Sequence, residues 1–167
     1  MVLVYGQKNK NKVLKLKLKF RMIDTLMLID DENLFHLVFE DACSLLDMAL
    51  SFEALDSSDE ADEKFKQWFP DDPDKERPEC VFVDLNIIGS SYDGIEMIRK
   101  INYEYGDGVV IGIISSSEDE DEIEKAKKVG AQFWIIKSDD IEPRLEEFMV
   151  DYEAYKSKTA PFKIYKW

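Results

Sequence analysis

The sequence predicts an α/β fold, a flavodoxin-like three-layer sandwich around a five-stranded parallel sheet of order 2-1-3-4-5. Two observations carry this prediction. Apolar runs of strand length alternate with segments of helical periodicity, which indicates right-handed βαβ units and a sheet covered on both faces. The alternation repeats five times within about 130 residues, which makes this strand order the natural choice.

Each strand is predicted from a short apolar run bounded by polar or turn-forming residues. The five runs are residues 25–29, 50–54, 80–84, 109–114 and 133–136. Each helix is predicted from apolar side chains at helical spacing. The five helices cover residues 33–48, 59–69, 92–105, 118–129 and 141–152. Ser57 or Ser58 can cap the second helix and Ser117 the fourth, while Gly130 can end the fourth.

Length and composition indicate a single cytoplasmic domain. A hydrophobic content of 45% is ordinary for a globular protein. No apolar stretch approaches the roughly 20 residues of a membrane span, and no signal peptide is recognisable. Cys43 and Cys80 lie in apolar contexts and are expected to be buried thiols. We assign residues 25–156 to the domain, residues 1–24 to a basic N-terminal extension and residues 157–167 to a C-terminal tail.

The charge is distributed unevenly along the chain. Residues 1–24 carry six lysines, one arginine and one aspartate, a net charge of +6, so residues 25–167 must carry −20 to give the total of −14. A body this acidic repels phosphate groups, which argues against direct binding of DNA or RNA. Leucines alternate with lysines over residues 12–20, as in a strand with one solvated face. The extension is therefore either an arm for a partner or a homodimer, or a mobile tail.

Polar side chains stand at the ends of four of the five predicted strands. Asp30 and Asp31 follow the first strand, and Asp84 ends the third. Ser115 follows the fourth strand and Lys137 the fifth. The carboxyl ends of parallel strands meet at one edge of the sheet, which is where open α/β sheets bind ligands. Because three carboxylates at one edge repel each other, the site calls for a cation.

The predicted donor set suits Mg²⁺, which prefers oxygen ligands and keeps several waters. Asp31 and Asp84 can ligate it directly. Asp30 can hold a bound water, and the backbone carbonyl of Asn86 can complete the protein's share. A carboxylate can also attack phosphorus and form an aspartyl phosphate, whose added charge the metal, an ammonium group and a hydroxyl can balance. These strand ends can thus bind one phosphoryl group.

Together these segments resemble the receiver domain of bacterial two-component response regulators. The resemblance extends over residues 25–152, and its motifs occur in the family's order. The matching segments are Leu28-Ile29-Asp30-Asp31-Glu32, Val81-Phe82-Val83-Asp84-Leu85-Asn86, Asp93-Gly94-Ile95-Glu96, Ile113-Ile114-Ser115, Val129-Gly130-Ala131 and Trp134-Ile135-Ile136-Lys137.

By this resemblance, Asp84 accepts a phosphoryl group from a histidine kinase or a histidine phosphotransfer protein, while Asp30 and Asp31 hold Mg²⁺. Lys137 would contact the phosphoryl group, and Ser115 would be the switch hydroxyl. The resemblance implies a stand-alone signalling protein that is not an enzyme. Its output would pass to a downstream protein or along a phosphorelay, with no membrane partner.

The resemblance also implies a route for the output. Trp134 would take the place of the aromatic residue that reorients with the Ser115 hydroxyl. Space freed for the indole would change the face formed by the fourth helix, the fifth strand and the fifth helix. The acids at residues 118–122 begin that fourth helix, so partners at this face are expected to carry basic residues.

Three departures from the family pattern stand out. Asp84 lies two residues farther than usual from the Asp93-Gly94 pair, and Ile88 or a neighbour replaces the customary proline of that loop. Ser138 replaces the proline that usually follows the lysine. An additional acidic segment lies around residues 56–78.

Two alternatives remain open at this point. A haloacid-dehalogenase-like phosphatase also uses an aspartyl phosphate and Mg²⁺, but it expects a second acid where this chain has Asn86. A degenerate receiver would bind partners without phosphorylation. Zinc chemistry has little support, because His36 is the only histidine and is expected to be an ordinary residue of the first helix.

Overall fold

The structure is a computed structural model that describes residues 22–68, 77–106 and 108–166. One parallel sheet carries helices on both faces. Its strands are β1 (Ile23–Ile29), β2 (Ala49–Leu55), β3 (Cys80–Asp84), β4 (Val110–Ser115), β5 (Phe133–Ile136) and β6 (Lys163–Tyr165). The helices are α1 (Asn33–Leu45), α2 (Ser58–Trp68), α3 (Gly94–Lys100), α4 (Glu120–Lys128) and α5 (Glu142–Lys156), with a π-helical turn (Ile101–Tyr105) after α3. The strand order is β2-β1-β3-β4-β5-β6.

Two hydrophobic clusters, one on each face of the sheet, make up the three layers. On one face α1 and α5 pack against the sheet through aromatic rings that contact one another. Phe39 of α1 and Phe148 of α5 both contact Phe82 of β3, which also contacts Phe133 of β5. On the other face α2, α3 and α4 pack around Trp134 and its neighbours. Because both faces are covered, every residue of β3 and β4 is buried. That burial explains why these strands appear in the sequence as uninterrupted apolar runs.

The flavodoxin-like α/β fold is confirmed, but the prediction of five strands was wrong. A sixth strand, β6, lies parallel to β5 and extends the sheet beyond it. It belongs to the residues assigned to a C-terminal tail. Three residues, two of them polar, show no periodicity that indicates a strand. Tertiary contacts fix it instead, since Tyr165 is buried and its hydroxyl lies 2.9 Å from that of Tyr155 on α5.

Several helix boundaries differ from the predictions; the fifth helix, for example, continues to Lys156 rather than ending at residue 152, and two other differences have an identifiable cause. The first helix ends at Leu45, three residues early, because the chain turns at Asp47, where φ is 46°. The fourth helix begins after Asp119, whose side chain accepts two backbone N–H groups of its first turn. Ser117 therefore does not cap this helix, and its hydroxyl instead donates to the Glu122 carboxylate at 2.5 Å.

Two predicted features lie outside the described residues, namely the strand-like stretch 12–20 and most of the loop 70–78. Within the described ranges, no helix has both the length and the apolar character that crossing a bilayer requires. Cys43 and Cys80 are buried free thiols, as predicted. Burial raises the pKa of both thiols well above the ordinary value.

Candidate functional site

The sheet register brings the ends of the first and third strands together. Ile29 pairs with Val83 across β1 and β3, so the residues that follow, Asp30 and Asp84, are adjacent at the carboxyl edge. One carboxylate oxygen from each of Asp30, Asp31 and Asp84 lies within 4.8 Å of the other two. The three acids that the sequence analysis assigned to one site are therefore together, at the position where open α/β sheets bind ligands.

Lys137 joins this cluster from the end of β5. Its ammonium nitrogen lies 2.6 Å from Oδ2 of Asp30 and 3.2 Å from Oδ1 of Asp84. Glu32 lies farther away, at 3.8 Å. The ammonium also lies 4.6 Å from the centre of the Phe35 ring, a cation–π distance. One cation thus bridges two strand ends, despite the missing proline after Lys137.

Burial sets the electrostatics of the Asp84 carboxyl. Asp84 is 7% exposed, and removal from water raises its pKa from 3.8 to about 6. The attraction of Lys137 opposes this increase, and the neighbouring charge of Asp30 adds to it. Burial alone would lower the pKa of Lys137, but its hydrogen bond to Asp30 and the two carboxylate charges hold that pKa above its ordinary value.

The donor set of this cluster fits a hard divalent cation. It offers carboxylate oxygens only, the ligand type that Mg²⁺ prefers. Asp30 is fixed by its Oδ1, which accepts the backbone N–H of Glu32 at 2.9 Å. Asp31 is partly exposed and can reach an ion from the solvent side. Asn86 lies two residues past Asp84 and is exposed, and the role of its carbonyl as a ligand stays a prediction.

The Asp93-Gly94 pair fixes the loop that follows Asp84. The backbone N–H of Gly94 donates to the carbonyl of Leu85 at 2.9 Å. A Cβ on Gly94 would lie 2.1 Å from the backbone oxygen of Asp84, so only glycine allows this approach. Asp93 begins α3 with a capping box completed by Glu96. These contacts explain physically why an aspartate and a glycine stand at these two positions.

The two-residue lengthening of this loop is accommodated at the start of α2. Ser90 Oγ accepts the N–H of Ser58 at 3.1 Å, and Ser58 Oγ accepts the N–H of Tyr92 at 3.1 Å. Asp59 accepts the N–H of Ser91 at 2.8 Å. The loop is therefore anchored away from the carboxylates, and the helix N-terminus gains hydrogen-bond partners.

Ser115 and Trp134 are linked through the turn between β4 and α4. The buried Ser115 hydroxyl accepts the N–H of Ser117 at 3.1 Å. The buried indole of Trp134 donates from Nε1 to the carbonyl of Ser117 at 3.1 Å. Ser117 thus connects the two residues assigned to a switch, although the sequence analysis gave it only a capping role. Their roles as switch residues stay a prediction.

Sequence reasoning missed two side chains that support the site. Nε2 of His36 donates to the carbonyl of Asp30 at 2.5 Å, so the only histidine lies beside the acidic cluster. Its place in the first turn of the helix after the acidic pair was the available signal. Arg144 of α5 donates to the Ser138 hydroxyl and, at 3.3 Å, to the Asp140 carbonyl. These bonds fix the segment in which Ser138 stands where proline was expected.

Comparison with known proteins agrees with this geometry. The family model described as the response regulator receiver domain matches residues 26–146. Among curated protein sequences, no significant match was found.

Solved structures with the same fold include two receiver domains and a response regulator. The isolated REC domain of RcsB from Salmonella enterica serovar Typhimurium, solved with the phosphomimetic BeF3-, has a TM-score of 0.68 at 12% identity, covering 86% of this chain and 94% of that one. The phosphorylated cyanobacterial phytochrome response regulator RcpA has a TM-score of 0.62 at 19% identity, with coverages of 83% and 96%. The signal receiver domain of the NarL response regulator from Mycobacterium tuberculosis has a TM-score of 0.62 at 19% identity, with coverages of 79% and 97%.

Proposed function

The chain belongs to the response regulator receiver domain family, and on that premise we propose that it is a signalling protein whose Asp84 accepts a phosphoryl group in a Mg²⁺-dependent reaction. One observation carries this proposal. Asp30, Asp31 and Asp84 lie together at the carboxyl edge, and Lys137 bridges two of them. If these acids served only to end strands and cap helices, there would be no reason for three carboxylates and a lysine from three different strand ends to converge.

The proposed transfer is a substitution at phosphorus. A carboxylate oxygen of Asp84 attacks the phosphorus atom of a phosphohistidine donor, a P–O bond forms, and the bond from phosphorus to the imidazole nitrogen breaks. The imidazole leaves with the electron pair of that bond. Lys137 lies 3.2 Å from Asp84 and supplies positive charge to the arriving group. The Ser115 hydroxyl, on the neighbouring strand end, donates to a phosphoryl oxygen.

Receiver domains bind Mg²⁺ at an acidic pocket, and the cluster here offers suitable donors. We assign direct contacts to Asp31 and Asp84, a water-mediated contact to Asp30 and a backbone contact to Asn86. The ion, when bound, supplies counter-charge for the phosphoryl oxygens. In its absence the carboxylates repel each other, and Lys137 relieves only part of that repulsion.

The donor needs access to Asp84 from the carboxyl edge. Receiver domains in general interact with histidine kinases and with downstream effectors. Here Leu34 and Leu37, on the helix that follows the acidic pair, are 75% and 60% exposed. Ile88, in the loop after Asp84, is 82% exposed. We propose that these three side chains contact the donor, a histidine kinase or a histidine phosphotransfer protein, because apolar side chains this exposed beside a reactive site are typical of binding surfaces.

Phosphorylation is read out through Ser115 and Trp134 in this proposal. The Ser115 hydroxyl now accepts the N–H of Ser117, and turning it toward a phosphoryl group would change that hydrogen bond. Moving it would disturb the turn whose carbonyl holds the Trp134 indole. A switch of this kind works only if the phosphoryl group binds the second arrangement better. The domain proposed for this activity comprises residues 25–156, to whose sheet β6 adds residues 163–165, with residues 1–24 as a basic extension.

The proposal is tested by treating the protein with a small phosphodonor, such as acetyl phosphate, and following its intact mass. With Mg²⁺ present the protein should gain the mass of one phosphoryl group, and with a chelator it should gain none. Turnover of a phosphate ester is measured in parallel. Sustained turnover would instead identify a phosphatase, and no incorporation under any condition would identify a receiver that acts without phosphorylation.

A further inference from the structure

The C-terminal segment, defined here as residues 161–166, occupies the edge of β5. Three backbone pairs join the strands in parallel, from Phe133 with Lys163 to Ile135 with Tyr165. The central pair joins Trp134 to Ile164, so the segment lies directly beside the residue assigned to the switch. Without this segment, β5 would present its unpaired backbone groups as an open edge between α4 and α5.

Side chains hold the segment to α5 on one side. The buried Tyr165 hydroxyl donates to Asp151 at 2.8 Å and lies 2.9 Å from the Tyr155 hydroxyl. The ammonium of Lys163 lies 2.8 Å from Asp151 and 2.9 Å from Glu147. An aromatic ring with a polar tip and a basic side chain thus fill this half of the edge.

Weaker contacts hold the segment to α4 and to the turn before it on the other side. Lys166 pairs with Glu118 at 3.3 Å, and the Lys127 ammonium lies 5.7 Å from the centre of the Phe162 ring. Phe162 and Ile164 are partly buried against the cluster that contains Trp134. The pairs here are exposed and contribute little individually, so this side is the easier one to release.

Three contacts connect this side to the phosphoryl site. Ser117 is bonded to the Ser115 hydroxyl through its N–H and to the Trp134 indole through its carbonyl. Glu118, the next residue, pairs with Lys166 of the segment. A rotation of the Ser115 hydroxyl toward a phosphoryl group therefore moves the turn that carries both attachments.

We propose that the edge of β5 between α4 and α5 is a strand-binding surface. The C-terminal segment occupies it before phosphorylation, and an extended partner segment with an aromatic residue flanked by basic residues occupies it afterwards. The proposal rests on the proposed function for its control by phosphorylation. The chemistry of the partner follows from the present occupant, because backbone pairing accepts many sequences while side-chain pockets select among them.

The charges around the edge favour a basic partner segment, and the covalent tether of the C-terminal segment explains how its access is controlled. Glu118, Glu147 and Asp151 surround the edge and select basic side chains. A tethered segment acts at an effective concentration of roughly millimolar, so a free partner competes poorly until the tethered one is loosened. Phosphorylation is therefore expected to control binding of the partner by loosening the tethered segment, while the residues that line the surface stay the same.

The test measures binding of a fluorescently labelled peptide with the sequence of residues 160–166 to the full chain, by anisotropy. Binding should be weak to the resting protein. It should strengthen at least tenfold when beryllofluoride and Mg²⁺ are added. It should strengthen without them in Tyr165→Ala, which weakens the α5 side, and in Lys166→Glu, which reverses the charge opposite Glu118. A peptide with alanine in the place of Tyr165 should bind none of the forms.

These outcomes separate the two proposals. If beryllofluoride has no effect but both variants bind the peptide, the strand-binding surface stands and its control by phosphorylation is overturned. If Asp84 is phosphorylated and no form binds the peptide, the strand-binding surface is overturned and the proposed function stands. Lys166→Glu changes an exposed side chain, so it carries the test if Tyr165→Ala does not fold.

Discussion

Replacement of Asp84 by asparagine should stabilise this protein at neutral pH, although it removes the proposed reactive group. Asparagine is a neutral replacement of nearly the same shape as a protonated aspartate. The Asp84 carboxyl has a pKa raised from 3.8 to about 6, mainly by burial and also by Asp30, and this holds despite the attraction of Lys137. The charged form is therefore unfavourable in the folded protein, and its removal should increase the free energy of unfolding.

The magnitude follows from the pKa difference. A folded-state pKa above the unfolded value means that the folded protein binds the proton more tightly, so ionisation of Asp84 costs stability as pH rises from about 4 to 6. A difference of about two units corresponds to about 3 kcal/mol once both states are ionised. By the same relation the cost is about 1 kcal/mol at pH 4.5. Asp84→Asn should thus gain about 2–3 kcal/mol at pH 7.5 and about 1 kcal/mol at pH 4.5.

The assay is urea unfolding followed by tryptophan fluorescence, at both pH values, in the presence of a chelator. Asp41→Asn, which neutralises an exposed carboxylate of α1, is the matched control and should change stability little at either pH. Added Mg²⁺ should stabilise the wild-type protein more than Asp84→Asn. A variant that is less stable than wild type at pH 7.5, or whose gain does not shrink at pH 4.5, would refute the electrostatic reasoning.

Three further predictions concern single residues. Gly94→Ala should destabilise the fold by roughly 2–3 kcal/mol, because a Cβ would lie 2.1 Å from the Asp84 backbone oxygen, and an unchanged urea midpoint would contradict this. Mg²⁺ is expected to bind at roughly millimolar affinity, because the protein supplies few ligands. Asp31→Ala removes one of them and should weaken that binding at least tenfold in a fluorescence titration, and an unchanged affinity would place the metal elsewhere. Ser115→Ala should keep phosphorylation at Asp84 but lose most of the amide-exchange response around Trp134, and a full response would show that the hydroxyl is not the switch.

Much of the fold was predictable because local and long-range signals agree. β3 and β4 are buried on both faces, so their sequences are continuous apolar runs that periodicity identifies directly. The three acids were predictable because each ends or follows such a run, and parallel pairing then places them together. Lys137 was predictable from the same rule, since it directly follows β5.

The remaining features depend on contacts that local sequence does not encode. β6 is held by Tyr165 against Tyr155 and Asp151, so the strand conformation of its three residues depends on contacts with α5. His36 looked ordinary because its partner is a backbone carbonyl, which no residue type reveals. Asp119 and Ser117 are both good caps, and only the path of the turn after Ser115 decides between them.

Chemical trapping of the phosphorylated residue shows directly whether Asp84 is the phosphoacceptor. The protein is incubated with acetyl phosphate and Mg²⁺, the acyl phosphate is reduced with borohydride, and the converted residue is located by peptide mass spectrometry. Conversion is expected at Asp84 alone, and none is expected in Asp84→Asn. Conversion at Asp30 or Asp31 instead, or phosphorylation that persists in Asp84→Asn, would contradict this assignment.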